Sequence, residues 1–301
     1  MTDKTNEKTW LITGGTGFIG QALIASLNEL NYGVVALSRN PGKARAKLPA
    51  QVAVIQDLDE ITSEQSIDVV VNLAGEPLFG GLWTKTRKQA FFDSRLSTTR
   101  DLVALMDRLA TKPSVIISGS AIGFYGMSAN TDYTEDSPNG TDEMAKLCHE
   151  WEQAAFPATQ HGIRLILLRT GLVMDPIGGM LKPLIFSSKL CMGSKLGHGQ
   201  QWMSWITRRD LIRLIFFAAN NSEISGPLNA VAPRAVTQET FIDALAKKLR
   251  RPRVLRAPAA ILKILLGDMA PMLLQGQKVL PEKATKAGFI FETADIEDAF
   301  D

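Results

Sequence analysis

The chain has 301 residues, 45% of them hydrophobic and 21% charged, with a formal net charge of +2. That length holds one large α/β unit or a core domain with a smaller lobe, and so ordinary a composition excludes a disordered or fibrous chain. That charge argues neither for nor against any partner; the one basic cluster, Lys247 to Arg253, falls at a probable helix end, so no nucleic-acid partner is expected. Two cysteines, Cys148 and Cys191, exclude a disulfide framework and fit a reducing compartment.

Met1 to Trp10 is polar and carries no secretory signal. The β-prone run Thr9–Ile12 leads into Thr13-Gly14-Gly15-Thr16-Gly17-Phe18-Ile19-Gly20, and an amphipathic stretch from Phe18 to Leu30 leads out. Strand, glycine turn and helix make the context in which a GxGxxG string marks a dinucleotide site rather than a plain turn. Gly15 permits the tight turn, Gly17 lets a pyrophosphate approach the backbone, and Gly20 allows close helix–strand packing. The helix then aims its unpaired N–H groups at phosphate. Gly14, Gly15, Thr16, Gly17, Phe18, Ile19 and Gly20 are therefore assigned to the cofactor.

A second β run, Gly33–Ser38, ends at Arg39-Asn40-Pro41. An acid at this strand end reads the 2′-hydroxyl of NAD, whereas an Arg accommodates the 2′-phosphate of NADP. No acid stands within 38–41, so Ser38 and Arg39 point to NADP(H) over NAD(H), with Lys43 or Arg45 in support. Val52–Ile55 reads as a third strand, followed by Asp57-Leu58, where the carboxylate either accepts from the adenine amino group or only caps a turn. Asp68–Leu73 is a continuous apolar strand of the kind a parallel sheet buries on both faces. It ends in Asn72-Leu73-Ala74-Gly75-Glu76-Pro77, where Leu73, Ala74 and Gly75 let a ligand lie against the strand tip. Glu76 is the first candidate for a substrate-contacting carboxylate.

A long amphipathic helix follows over Trp83–Ala110, then a strand over Ser114–Ser118 that continues to Gly126, a capped helix over Thr141–Ala155 and a strand over Arg164–Arg169. Strands alternating with helices predict a Rossmann-like, doubly wound parallel sheet, with its ligand site at the carboxyl ends of the strands. Arg169 falls on such an end and joins the cofactor set. Beyond Gly171 the pattern changes to a helix over Met180–Leu190, a Gly-rich loop over Gly193–Gly199, the run Gln200–Ile206, a helix over Asp210–Asn220, a short strand Pro227–Asn229 and a helix over Gln238–Leu249. This half reads as a smaller substrate-covering lobe beginning near 172, on an NADP-binding domain 1–235, with a small C-terminal domain 236–301. His198 and Trp205 are its candidate substrate contacts. The apolar stretch Ala257–Leu274 is broken by Lys263, Asp268 and Pro271 and is too interrupted to span a bilayer, so no membrane partner and a cytoplasmic location are expected. His149, His161 and His198 have no metal-ligand spacing, so no metal is expected.

The strings Val71-Asn72-Leu73-Ala74-Gly75-Glu76-Pro77, Ser94-Arg95, Ser118-Gly119-Ser120-Ala121, Trp151-Glu152, Leu168-Arg169-Thr170-Gly171, Ser204-Trp205-Ile206 and Ala287-Gly288-Phe289 extend the glycine motif over the whole chain. Together they resemble the extended short-chain dehydrogenase/reductase superfamily, and within it the YfcH-like NAD-dependent epimerase/dehydratase subfamily, some of whose members carry a cell-division-inhibitor label. The resemblance implies a nucleoside-diphosphate-sugar-epimerase-like fold with a small C-terminal domain of unknown function, and it supplies no substrate. Thr207 stands where that subfamily has a histidine after Ser-Trp-Ile, which removes the imidazole from any substrate role here.

Redox members of the superfamily use a Ser, a Tyr and a Lys four residues after it; the Tyr moves the proton that accompanies hydride and the Lys lowers its pKa. Counted from Glu152 as landmark, the Tyr and Lys positions fall on Met144 and Cys148, and neither side chain does that work. Ser120 stands at the catalytic serine position. Tyr125 is either a substitute acid or a packed aromatic in a glycine-flanked turn. Two readings remain open: an NADP(H)-dependent oxidoreductase or epimerase-like enzyme acting on an unidentified small molecule with a non-standard acid, or an inactive NADP(H)-binding sensor. Superfamily analogy implies a homodimer through the helices around 84–110 and 141–155.

Overall fold

Seven aliphatic, β-branched runs pair into one all-parallel sheet: β1 (Thr9–Thr13), β2 (Gly33–Leu37), β3 (Ala53–Ile55), β4 (Val69–Asn72), β5 (Val115–Ala121), β6 (Arg164–Thr170) and β7 (Gly226–Ala230), in the order β3-β2-β1-β4-β5-β6-β7. This is a computed structural model, and it describes residues 8–78, 81, 83–179, 181–189, 194–251 and 255–300. Both faces of the sheet are covered, which is why its strands read as nearly continuous apolar runs. Trp10, Ile12, Val69, Val71, Ile166 and Leu168 pack on one face against helices α1 (Phe18–Glu29) and, later in the chain, Arg208–Asn220. Leu11, Val35, Val70, Ile116, Leu165 and Leu167 face the other way, against α2 (Lys85–Arg108) and α3 (Glu143–Ala155). The period of two along each strand decides which helices it meets.

Strand register brings the carboxyl ends level. Thr13 pairs with Leu37 and Asn72, Asn72 with Ser118, Ser120 with Arg169, and Arg169 with Asn229. β7 is the sheet's edge strand, where Pro227 removes no ladder hydrogen bond from a neighbour on both sides.

Helix starts follow from local chemistry. Thr84 caps α2 by accepting from the Arg87 amide at 3.2 Å, and Asp142, one residue beyond Thr141, caps α3 from the Ala145 amide at 2.9 Å. Thr207 caps α4 (Arg208–Asn220) by accepting from the Asp210 amide at 3.1 Å. The departure from the subfamily's histidine thus leaves a buried N-cap in its place.

The lobe beginning near 172 and the segment from 236 onward share one core. Met174, Leu181, Met203 and Trp205 pack with Phe241 and Leu245 of α5 (Gln238–Leu249) and with Ile296 and Phe300. Asp210, fully buried, accepts from the Glu292 and Thr293 amides at 3.0 and 2.9 Å and ties the C-terminal segment to α4. Two segments differ from the sequence expectation. Part of the Gly-rich loop, Ser194–Leu196, is a strand paired with Leu255–Ala257, while Cys191 and residues 190, 192 and 193 lie outside the described residues. Ser128–Tyr133, for which no element is expected from the sequence, is a strand running parallel to Gln277–Val279. Its side chains are largely exposed, so no apolar alternation announced it. No helix among the described residues is long and apolar enough to cross a membrane.

Candidate functional site

The glycine motif closes on itself tightly. Gly14 has φ +67, and a Cβ on it would stand 2.5 Å from the Leu73 carbonyl oxygen, so only glycine lets the β1 end lie against the β4 end. Gly20 would place a Cβ 2.3 Å from the Gly14 carbonyl oxygen. The left-handed turn is therefore at Gly14; Gly15, expected to make it, instead gives room to Ile24, whose Cδ1 a Cβ would meet at 2.7 Å. Gly17 precedes α1 without a side-chain cap, which leaves the first-turn N–H groups facing outward. Those amides, with Thr16, Phe18 and Ile19 around them, fit a pyrophosphate.

The neighbouring strand ends are held in place by buried polar contacts. Thr13 Oγ1 donates to Asn72 Oδ1 at 2.6 Å, Asn72 Nδ2 donates to Thr99 Oγ1 at 2.8 Å, and the Ala74 amide donates to Thr13 Oγ1 at 3.2 Å. Leu73, Ala74 and Gly75 are thereby fixed beside the glycine loop. Arg39, at the β2 end, is exposed and makes no hydrogen bond or ion pair among the described residues. Ser38 Oγ accepts from the Asn40 amide at 3.3 Å, and Arg45 reaches the Val54 carbonyl at 3.4 Å. Asp57 caps the turn Leu58–Glu60, its carboxylate accepting from the Asp59 amide at 2.9 Å, and the Leu58 side chain is buried in the core. Of the two readings of Asp57, its side chain is engaged in the turn.

Four of the expected site residues are placed elsewhere by the structure. Arg169 is 3% exposed and donates to both oxygens of Glu152, from Nε at 2.8 Å and from Nη2 at 2.9 Å. Its Nη1 donates to Tyr125 Oη at 2.9 Å, and its guanidinium lies over the Phe124 ring at 3.5 Å. Burial pulls its pKa down, but the hydrogen bonds and charge of Glu152 leave it raised. With its donors engaged inside the protein, Arg169 is a scaffold residue and not a cofactor contact. Tyr125, 2% exposed, donates to Asn229 Oδ1 at 2.6 Å, and burial pushes its pKa up to about 12. A phenol so held is no substitute acid. Trp205, fully buried, donates to the Arg234 carbonyl at 3.0 Å and belongs to the lobe's core rather than to a substrate surface. His198 is exposed on its loop and accepts the Gln200 amide on Nδ1 at 2.9 Å, which makes it a turn residue.

Ser120 lies in the same network, donating to Glu152 Oε1 at 2.7 Å. Met144 and Cys148 stand across from the Gly123 turn, where a Cβ would lie 3.6 Å from Met144 Cβ and 3.5 Å from Cys148 Sγ. Burial pushes the Cys148 thiol up to about 12, with the charge of Glu152 adding to it, so the thiol stays protonated at neutral pH. The half-buried Glu76 gives its amide to Ser94 Oγ at 2.9 Å, and its carboxylate makes no hydrogen bond or ion pair among the described residues. Arg95, which the sequence offers within a resemblance string and not as a site candidate, donates to the Glu76 carbonyl beside it. The signal was present: Arg95 falls at helical spacing between buried Phe91 and buried Thr99, on the inward stripe of α2. Among the described residues no group of His, Cys, Asp and Glu side chains is placed to hold a metal.

Glu135, 6% exposed, joins the network from the far side by accepting the Asn229 and Lys283 amides at 3.1 and 3.2 Å. Burial raises its pKa above 4.5. The folded protein then holds a proton that the unfolded chain releases, so this group's contribution to stability falls as pH rises above 4.5. Glu135→Gln keeps an acceptor oxygen and removes the charge. Its urea midpoint relative to the unsubstituted protein should rise between pH 4.5 and neutrality, and a difference independent of pH would refute the assignment.

Residues 10–230 match the NAD dependent epimerase/dehydratase family, and residues 257–301 match a domain of unknown function, DUF1731. The chain is 36% identical to the chloroplastic epimerase family protein SDR39U1 homolog of Arabidopsis thaliana, over 98% of this chain and 86% of that protein. It is 36% identical to the epimerase family protein YfhF of Bacillus subtilis, over 96% and 95%. Its structure is similar to that of human epimerase family protein SDR39U1 with NADPH, with a TM-score of 0.88, 30% identity and 97% of each chain covered.

Proposed function

The chain belongs to the NAD dependent epimerase/dehydratase family, and on that premise we propose that it is an epimerase- or oxidoreductase-like protein that binds NADP(H) and acts on a small molecule. The observation that carries the NADP(H) reading is Arg39: a free, exposed guanidinium at the β2 end, with no acid between Ser38 and Pro41 to select a ribose hydroxyl. The NADPH in the human relative's structure supports it. The first turn of α1 would hold the pyrophosphate, Arg39 the 2′-phosphate, and the tips of β4 and β5, from Leu73 to Gly75 and at Ser120, the nicotinamide half. Bound there, the cofactor supplies or accepts hydride. Ser120, fixed by Glu152, keeps oxygen lone pairs with which to orient a ligand hydroxyl.

Arg39→Asp tests the reading. Losing a charge-assisted phosphate contact costs about 1.5–3 kcal/mol, or roughly 10- to 100-fold in affinity. Titration should show that loss for NADPH and a change of less than about threefold for NADH, which lacks the phosphate. Equal losses for the two would overturn the phosphate assignment.

A second reading, a cofactor-binding sensor without turnover, is supported by the count from Glu152, which puts Met144 and the buried Cys148 at the superfamily's Tyr and Lys positions. Stopped-flow absorbance at the reduced nicotinamide band separates the two, since one observed hydride transfer eliminates the sensor. With either reading we propose a cytoplasmic location, supported by the low cysteine count, and a homodimer, supported by superfamily analogy.

A further inference from the structure

Arg95 makes no ion pair among the described residues, although the charge of the neighbouring Glu76 carboxylate acts on it. Its Nη1 donates to the carbonyls of Phe91 at 3.1 Å and Glu76 at 3.2 Å, and its Nη2 donates to Glu76 at 3.2 Å. These acceptors are neutral. No carboxylate pairs with it among the described residues, whereas the other buried guanidinium at the site, Arg169, has both oxygens of Glu152. Gly75 lies flat on it, since a Cβ there would stand 2.9 Å from Arg95 Cζ, and the guanidinium lies over the Trp151 ring at 5.1 Å. Burial lowers its pKa, opposed by the charges of Cys148 and Glu76 nearby. A guanidinium nonetheless stays ionised in a protein. It is thus a half-buried, fixed charge between the ligand-facing tip of β4 and the positions of the missing Tyr and Lys.

A desolvated charge gains most from an opposite charge that can reach it. A planar fork with Nε still without an acceptor matches a carboxylate in particular. The surroundings add two restrictions. The unpaired Glu76 carboxylate beside the fork disfavours a dianion such as a phosphate ester. Phe91, whose carbonyl Arg95 reaches, belongs to an apolar and adaptable cluster with Trp83, Phe92, Met144, Met269 and Met272, the last two brought from the C-terminal domain. We propose that Arg95 binds the substrate, pairing with the single carboxylate of a small molecule whose remaining body is apolar or aromatic. The inference deepens the function proposed above and rests on its placement of the nicotinamide half.

Benzoate and its uncharged isostere benzamide are the probes, observed by ligand-detected NMR on the NADPH-saturated protein. The intact protein should bind benzoate at least about tenfold more tightly than benzamide, one charge-assisted pairing being worth that much. Arg95→Gln should reduce benzoate to the benzamide level, and Arg95→Lys, which keeps a point charge but not the fork, should restore part of the preference. NADPH affinity should stay within about threefold in both variants, which a merely structural role for Arg95 would not allow. An intact protein with no preference for benzoate, or an Arg95→Gln variant that keeps it, overturns the proposal. If NADPH itself does not bind, the cofactor reading fails, and the same titrations on the free protein still decide the role of Arg95.

Discussion

Arg169→Met should lower the unfolding free energy by about 3–5 kcal/mol, the cost of stranding one member of a buried ion pair. The pair is 3% exposed on each side, and in this low-dielectric pocket the substitution takes two donors from the Glu152 carboxylate, which keeps the Ser120 hydroxyl, and one from the Tyr125 phenol. The measurement is the urea midpoint at constant slope. Arg169→Met combined with Glu152→Leu should recover a substantial part of the loss, because exchanging a buried pair for apolar residues removes the desolvation penalty along with the attraction. In the folded fraction of the single variant, NADPH affinity should remain within about threefold. A stable Arg169→Met protein that has lost NADPH would restore the cofactor role that the geometry denies to this residue.

The error over Arg169 shows where a sequence stops being readable. Its position at a strand end, level with Ser120 and Asn229, was legible from the apolar run that precedes it. Whether it faces a ligand depends on partners distant in sequence: Glu152 on α3, the Tyr125 phenol, and Asn229 behind that phenol. Nothing local encodes such pairings. The same holds for Trp205, whose indole is buried because α5 and the chain end at Phe300 close over it. Sequence periodicity did disclose the parallel sheet, since a strand buried on both faces has to be apolar throughout. It failed at Ser128–Tyr133, a polar strand stabilised by backbone pairing with Gln277–Val279. Arg95 was legible but unread: a charged residue on the buried stripe of a helix is a signal as strong as a glycine in a loop.

The glycine motif makes the sharpest separation between fold and binding. Gly20→Ala should weaken NADPH about 100-fold, or about 2.7 kcal/mol, and should also lower stability. The added methyl would stand 2.3 Å from the Gly14 carbonyl oxygen and 2.7 Å from Gly15 Cα, backbone that cannot rotate aside. The loop has to lift off α1, and with it the amides that face the pyrophosphate. Gly17→Ala is the opposite case. Its φ of −78 is ordinary for alanine, Gly17 is exposed, and the one neighbour of an added Cβ is the Gly14 carbonyl oxygen at 3.1 Å. The thermal midpoint of this variant should stay near that of the unsubstituted protein. Its NADPH affinity should nevertheless fall about tenfold, because the space the methyl enters is the space a pyrophosphate needs against the backbone. If Gly17→Ala binds NADPH normally while Gly20→Ala does not, the motif holds the strand–helix junction together without cradling phosphate, and the cofactor has to be sought elsewhere along the strand ends.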